Sequence, residues 1–168
     1  SSDSVIAMAV VDASDAKAPA ELASYECVLR TGEYWRVAIP DVHLQVRGCL
    51  EHVVSTEPDY AQAFAFLSHV TIDEFLYGYN PQPEMAPPLD RALDHAQRAV
   101  DLDPTSAMAH YALARTAFYQ HSMGTFRAEI DRSVELAPNN TFILAGAGHF
   151  LAYSGGWERG MSLMAKAK

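Results

Sequence analysis

Three proline-centred stops divide the chain: Glu57-Pro58-Asp59, Asp103-Pro104-Thr105 and Ala137-Pro138-Asn139. Each follows an amphipathic run, at Cys49–Val54, Ala96–Leu102 and Ile130–Leu136 respectively. Proline has no N–H and disfavours the α region for the residue before it, so a helix ends there; its fixed φ also suits the first turn of the next helix. Pro104 and Pro138 are 34 residues apart, and Pro58 and Pro104 are 46 apart, twelve more. The extra length falls in Tyr77-Gly78-Tyr79-Asn80-Pro81-Gln82-Pro83-Glu84-Met85-Ala86-Pro87-Pro88, whose prolines and turn formers exclude it from a helix interior. A fixed period of this length is the mark of a repeat array, in which each unit buries its apolar stripe against the next.

Between the stops the apolar spacing is helical. Ala109, Leu113, Ala114 and Ala117 share one face, as do Leu93, Ala96, Ala99 and Val100. Turn signals at Met123-Gly124-Thr125 and Gly155-Gly156 halve their units. The pattern predicts helices over about 20–31, 40–55, 60–77, 88–102, 106–120, 125–136, 141–154 and 157–168, an all-α chain of helix pairs. Val5–Val11 reads as a short strand or as a helix of a preceding domain, and Asp12–Ala18 as a linker, so residues 1–19 stand apart from a repeat domain over 20–168. The start without Met and the halt of the last helical pattern at Lys168 give the reading of a piece of a longer protein.

Composition narrows the functional classes. The 168 residues carry 12 basic and 21 acidic side chains, a net charge of −9, which argues against binding along a phosphate backbone. Val5–Val11 is the longest apolar run and is too short to span a membrane. No signal-peptide pattern is visible, and the expected compartment is the cytoplasm. Two cysteines do not make a disulfide framework, so Cys27 and Cys49 are expected as reduced, packed thiols.

A 34-residue helix–turn–helix period closed by proline resembles the tetratricopeptide repeat. In the last unit Gly148, Leu151, Gly155, Gly160, Met164 and Ala167 fall at that family's offsets. In the third, Leu113, Ala114 and Ala117 are followed by Ile130, Ser133 and Pro138. The second has Leu67 and Ser68, then Ala92, Ala96, Ala99 and Pro104 beyond the insertion. The first is degenerate, with Thr31-Gly32-Glu33-Tyr34, Leu50, Val53 and Pro58. Tyr25-Glu26-Cys27, the Arg98–Pro104 run and Gly155-Gly156-Trp157-Glu158-Arg159-Gly160 also resemble repeats that follow bacterial class III nucleotide cyclase or winged-helix regulator domains.

The resemblance implies a right-handed α-α superhelix of about four helix pairs, with the first helix of each pair lining a concave face. The family's groove offsets then fall on Gln62, His69 and Asp73 in the second unit. In the third they fall on Met108, Tyr111, Arg115, Phe118 and Tyr119, and in the fourth on Phe142, His149 and Tyr153. Aromatic residues and Arg are frequent binding hot spots, and such a groove suits a peptide or protein segment. For Arg115 two readings stand side by side: a carboxylate clamp, or an ion pair with Asp73 or another acid across the groove. The implied function is a non-catalytic binding module of a larger bacterial signalling or regulatory protein. The alternatives are an accessory region of a nucleotide cyclase and a small-molecule sensor.

No chemistry-bearing motif competes with this reading. The seven histidines never pair at helical spacing of three or four and form no HExxH, so no metal is expected. Gly146-Ala147-Gly148 sits in a helical pattern and lacks the strand context of a dinucleotide fingerprint, so no cofactor is expected. Two further surfaces stand out: the Pro-rich insertion, read as either a flap built on Tyr77, Tyr79 and Met85 or a passive excursion, and the last helix. There Leu163, Met164 and Ala167 are read as an uncovered face for a further repeat or a second copy of the chain.

Overall fold

A computed structural model describes residues 22–167 of the protein, and the readings made for residues 1–19 lie outside them. The described residues form eight helices and no strand: α1 (Leu22–Val37), α2 (Pro40–Thr56), α3 (Ala61–Tyr77), α4 (Pro88–Leu102), α5 (Ala107–Tyr119), α6 (Met123–Leu136), α7 (Thr141–Tyr153) and α8 (Trp157–Lys166). Successive helices pair as antiparallel hairpins, and α1, α3, α5 and α7 also pack on one another in sequence. They form the inner layer of an α-α superhelix, with α2, α4, α6 and α8 outside.

The proline stops act as the sequence predicts. The backbone N–H groups of Glu57, Asp103 and Ala137 each close the last turn of a helix, on the carbonyls of Val53, Ala99 and Ser133. Three residues later Tyr60, Ser106 and Asn140 donate back to Glu57, Asp103 and Ala137, so the same turn recurs at every joint between units. Ser106 Oγ and Asn140 Oδ1 then cap the following helices by accepting from Ala109 N at 3.2 Å and Ile143 N at 3.1 Å. Those bonds satisfy backbone donors that a helix start leaves open.

Helices α3 and α5 are buried around most of their circumference, which is why their sequences carry little amphipathic contrast. Their polar residues are answered internally. Ser68 Oγ donates to Ala92 O across the α3–α4 hairpin, and Ser133 Oγ donates to Ala107 O across α5–α6, each at 2.8 Å. In the last hairpin α7 and α8 cross at Gly148 and Gly160. A Cβ on Gly148 would lie 2.6 Å from the Gly160 carbonyl oxygen, so the two backbones approach as only small residues permit.

Four expectations need correction. Helix α1 does not stop at residue 31 but runs to Val37, and the turn comes at Ala38, whose φ is +41°, with Pro40 opening α2. The cysteines are not free thiols: Cys27 and Cys49 form a disulfide between α1 and α2, with Cα atoms 5.8 Å apart. Leu163 is not uncovered, since it packs into the core, while α8 exposes Trp157 and Met161 instead.

The insertion, lastly, is neither a free flap nor a passive excursion. Residues 78–87 are strapped to the first hairpin. Tyr79 Oη donates to Ala38 O at 2.8 Å, and Asn80 Nδ2 lies 2.8 Å from Pro40 O and 3.0 Å from His43 Nδ1. Beneath the strap lies a buried charge triad. Arg47 and Arg91 reach Glu74 Oε2 at 3.2 and 2.7 Å, and Gln82 N donates to Glu74 Oε1 at 3.1 Å. Arg47 also donates to Asn80 O, and Arg91 to Ala86 O and Gln82 Oε1.

Candidate functional site: the concave face

The inner helices bring one ring each to a closed aromatic circuit. Trp35 of α1 meets His69 of α3 edge-on, with centroids 5.4 Å apart, and His69 meets Tyr111 of α5 at 5.2 Å. Tyr111 meets Phe142 of α7 at 5.8 Å, and Phe142 stacks back on Trp35 at 4.7 Å and 17°. Trp35 also packs edge-on against Phe66. Aromatic pairs in these geometries contribute about 0.5–1.5 kcal/mol each beyond area burial. The circuit crosses the concave face and links the first unit to the fourth.

Gly146 makes room for it. A Cβ there would overlap the Tyr111 hydroxyl, so glycine lets the phenol end of that ring reach α7. Burial pushes the Tyr111 pKa up to about 12, and the hydroxyl stays protonated.

Behind the rings Arg115 and Asp73 form an ion pair at 2.7 Å, the second of the two readings given for Arg115. Asp73 Oδ2 also accepts from Tyr34 Oη at 3.0 Å, and Arg115 Nη1 donates to His69 O at 3.2 Å. Burial works against the Arg115 charge, but the Asp73 carboxylate outweighs it and raises the pKa. Arg115 Nη1 lies 3.2 Å from His69 Nδ1, which must therefore accept. The imidazole proton sits on Nε2, and that buried N–H meets no acceptor among the described residues. Burial, aided by the Arg115 charge, holds the His69 pKa well below its usual range, so the ring is neutral.

Beside the circuit opens a cavity of about 280 Å³. Trp35, Tyr111, Arg115, Tyr119, Phe142 and Phe150 line it, together with His69, Leu76, Tyr77, Gly146 and His149. At its rim Tyr77 is 57% exposed and Tyr153 75% exposed, with Tyr153 lying against His149 at 4.7 Å.

The eleven residues picked from the sequence thus separate by depth. His149 and Tyr153 are exposed on the rim. Arg115, Tyr119 and Phe142 are half-buried in the cavity wall, and Phe118 is half-buried against Phe126 and Phe150. His69 and Tyr111 are buried in the floor, Asp73 is buried behind it on Arg115, and Gln62 and Met108 are buried in helix packing away from the cavity lining. Sequence reasoning missed Trp35 because it ended α1 at residue 31. The signal was present: Cys27, Val28, Thr31, Tyr34 and Trp35 continue one helical face up to the break before Pro40.

No protein-family model and no curated protein matches the sequence. Solved structures do match. One is TTC0263, a thermophilic TPR protein of Thermus thermophilus, at a TM-score of 0.69 and 13% identity, covering 86% of this chain and 72% of that one. The MamA protein matches at 0.54 and 16% identity, over 87% of this chain and 71% of that one. A Thermobaculum terrenum O-GlcNAc transferase matches at 0.61 and 20% identity, over 84% of this chain but only 25% of that one. At these identities the likeness speaks to architecture, and with the all-helical hairpin stack described above it gives the chain the tetratricopeptide-repeat fold, an α-α superhelix.

Proposed function

We propose that this chain is a non-catalytic module that binds a protein or peptide segment along its concave face. The observation that carries the reading is the exposed aromatic rim of Tyr77, His149 and Tyr153 beside the cavity. Exposed aromatics bordering a concave site supply large contact area at low entropic cost, and they are the side chains that dominate binding energy at interfaces. The Arg115 charge in the cavity wall is paired with Asp73, so the cavity offers the partner shape and ring surface rather than free charge. A place within a larger signalling or regulatory protein fits a module of this kind. The Cys27–Cys49 disulfide favours an oxidising compartment over the cytoplasm, because cytosolic thiols are kept reduced.

The test uses twelve-residue peptides selected from a displayed random library on the wild-type protein. Tyr77→Ala combined with Tyr153→Ala removes exposed rings without touching the core. The pair is expected to weaken those peptides at least about tenfold, the loss of roughly 1.4 kcal/mol, with an unchanged melting temperature. Selected peptides that bind the double variant as tightly as wild type overturn the reading. Substituting Tyr111 or Arg115 is a poorer test, because both belong to the folded interior.

A further inference from the structure

The centre of the concave face is already occupied, and by the chain itself. Of the four rings in the circuit, His69 and Tyr111 are buried, and Phe142 rises from the first turn of α7. Trp35 differs. It is half-buried, it belongs to the last turn of an end helix, and α1 packs on α2 and α3 but reaches the fourth unit through this side chain. Its neighbours hold the backbone firmly. Tyr34 is fully buried with its hydroxyl on Asp73, Cys27 is tied to Cys49, and the Ala38 carbonyl is held by Tyr79. The helix is thus fixed on several sides, while the indole alone stretches across the face to the fourth unit.

We infer that Trp35 is an internal stand-in for a partner's aromatic anchor. The partner segment carries a Trp, Phe or Tyr that displaces the indole and stacks on Phe142 in its place. The inference rests on the concave-face reading above and adds to it the chemistry of the partner. What the site rewards is flatness: Phe142 offers a parallel face, while the planes of His69 and Phe66 stand nearly perpendicular to the indole. The displaced arrangement also opens the circuit beside His69 Nε2–H, the one buried donor there without an acceptor, and a backbone carbonyl of the incoming segment supplies one. The free protein binds with reduced affinity, because only the fraction of molecules with the indole swung out is competent.

The experiment follows the indole directly. Trp157 is the only other tryptophan and is exposed on α8, so Trp157→Phe leaves Trp35 as the sole reporter. Peptides selected as above, with any Trp in them replaced by Phe or Tyr, are added to that variant. The expected results are a conserved aromatic residue in the peptides, loss of binding when it is changed to Ala, and a red shift of Trp35 emission as the ring moves into water. Trp35→Ala is expected to bind the same peptides about tenfold more tightly, as removal of a competitor that fills the site nine times in ten would give, with free indole competing. Binding that leaves Trp35 emission unchanged overturns the inference, whether or not the Trp35→Ala protein folds. If such binding is still lost in the Tyr77→Ala, Tyr153→Ala protein, the concave-face reading stands and only the role of Trp35 falls. If that double variant binds as tightly as wild type, both fall.

Discussion

Glu74 shows how much a single side chain can be asked to do. It is buried between two buried guanidinium groups, and its other oxygen accepts the backbone of the strap. Removing it takes the carboxylate from between the two cations, leaving Arg91 on Ala86 O and Gln82 Oε1 and Arg47 on Asn80 O with the half-exposed Glu51 carboxylate 3.8 Å away. Breaking a buried pair this way costs about 3–5 kcal/mol, and Glu74→Ala is expected to lower the melting temperature by roughly 6–20 °C, read by circular dichroism. The histidines set a second expectation at this scale. Burial lowers the pKa values of His43, His69 and His95, the last to about 4. The unfolded chain takes up protons on these rings from about pH 6.5 downward while the folded chain refuses them, so stability present at pH 7 is lost on acidification. Urea unfolding at pH 7 and pH 5 checks this: the midpoint falls at pH 5, and His95→Gln flattens the difference. At His43 the consequence is local as well, because Nδ1 accepts from Asn80 only while it is unprotonated.

At the scale of the element, the crossing of α7 and α8 leaves no room for a side chain at its two glycines. A methyl group on Gly148 meets the Gly160 carbonyl oxygen and Met164 Cγ, both at 2.6 Å. Gly148→Ala is expected to destabilise the protein by about 1–3 kcal/mol, the cost of overpacking where backbone must give way, measured by chemical denaturation. Both glycines were legible in the sequence, since they recur at repeat offsets, and so were seven of the eight helix positions, because proline stops and helical apolar spacing are local signals. What escaped was non-local. Thr31-Gly32 looked like the end of α1, but a buried Gly32 and the Tyr34–Asp73 bond between units carry the helix on to Val37. The strap was readable as an insertion, yet nothing in its own composition announces that Asn80 and Gln82 will find His43 and Glu74. Gln62 and Met108 were placed in the groove by family offsets, and local packing turned both inward.

For the molecule as a whole, the disulfide is the covalent term. It closes a separation of 22 residues across the first hairpin, the least regular unit of the array. Constraining the unfolded chain over such a span is worth about 3 kcal/mol, and reduction or the double change Cys27→Ala, Cys49→Ala is expected to lose roughly that much, seen as a drop in the denaturation midpoint. Mass measurement after thiol alkylation checks the bond: the unreduced protein is expected to take up no alkyl group and the reduced protein two.

Stacked repeats ordinarily behave like beads on a string, each sensing only its immediate neighbours, so that the termini loosen first and independently. A ring of α1 lying flat on a ring of α7 ties that string into a loop. Fraying at the beginning of the array then weakens its far end in the same event, and whatever parts those two rings gives each terminus back its freedom.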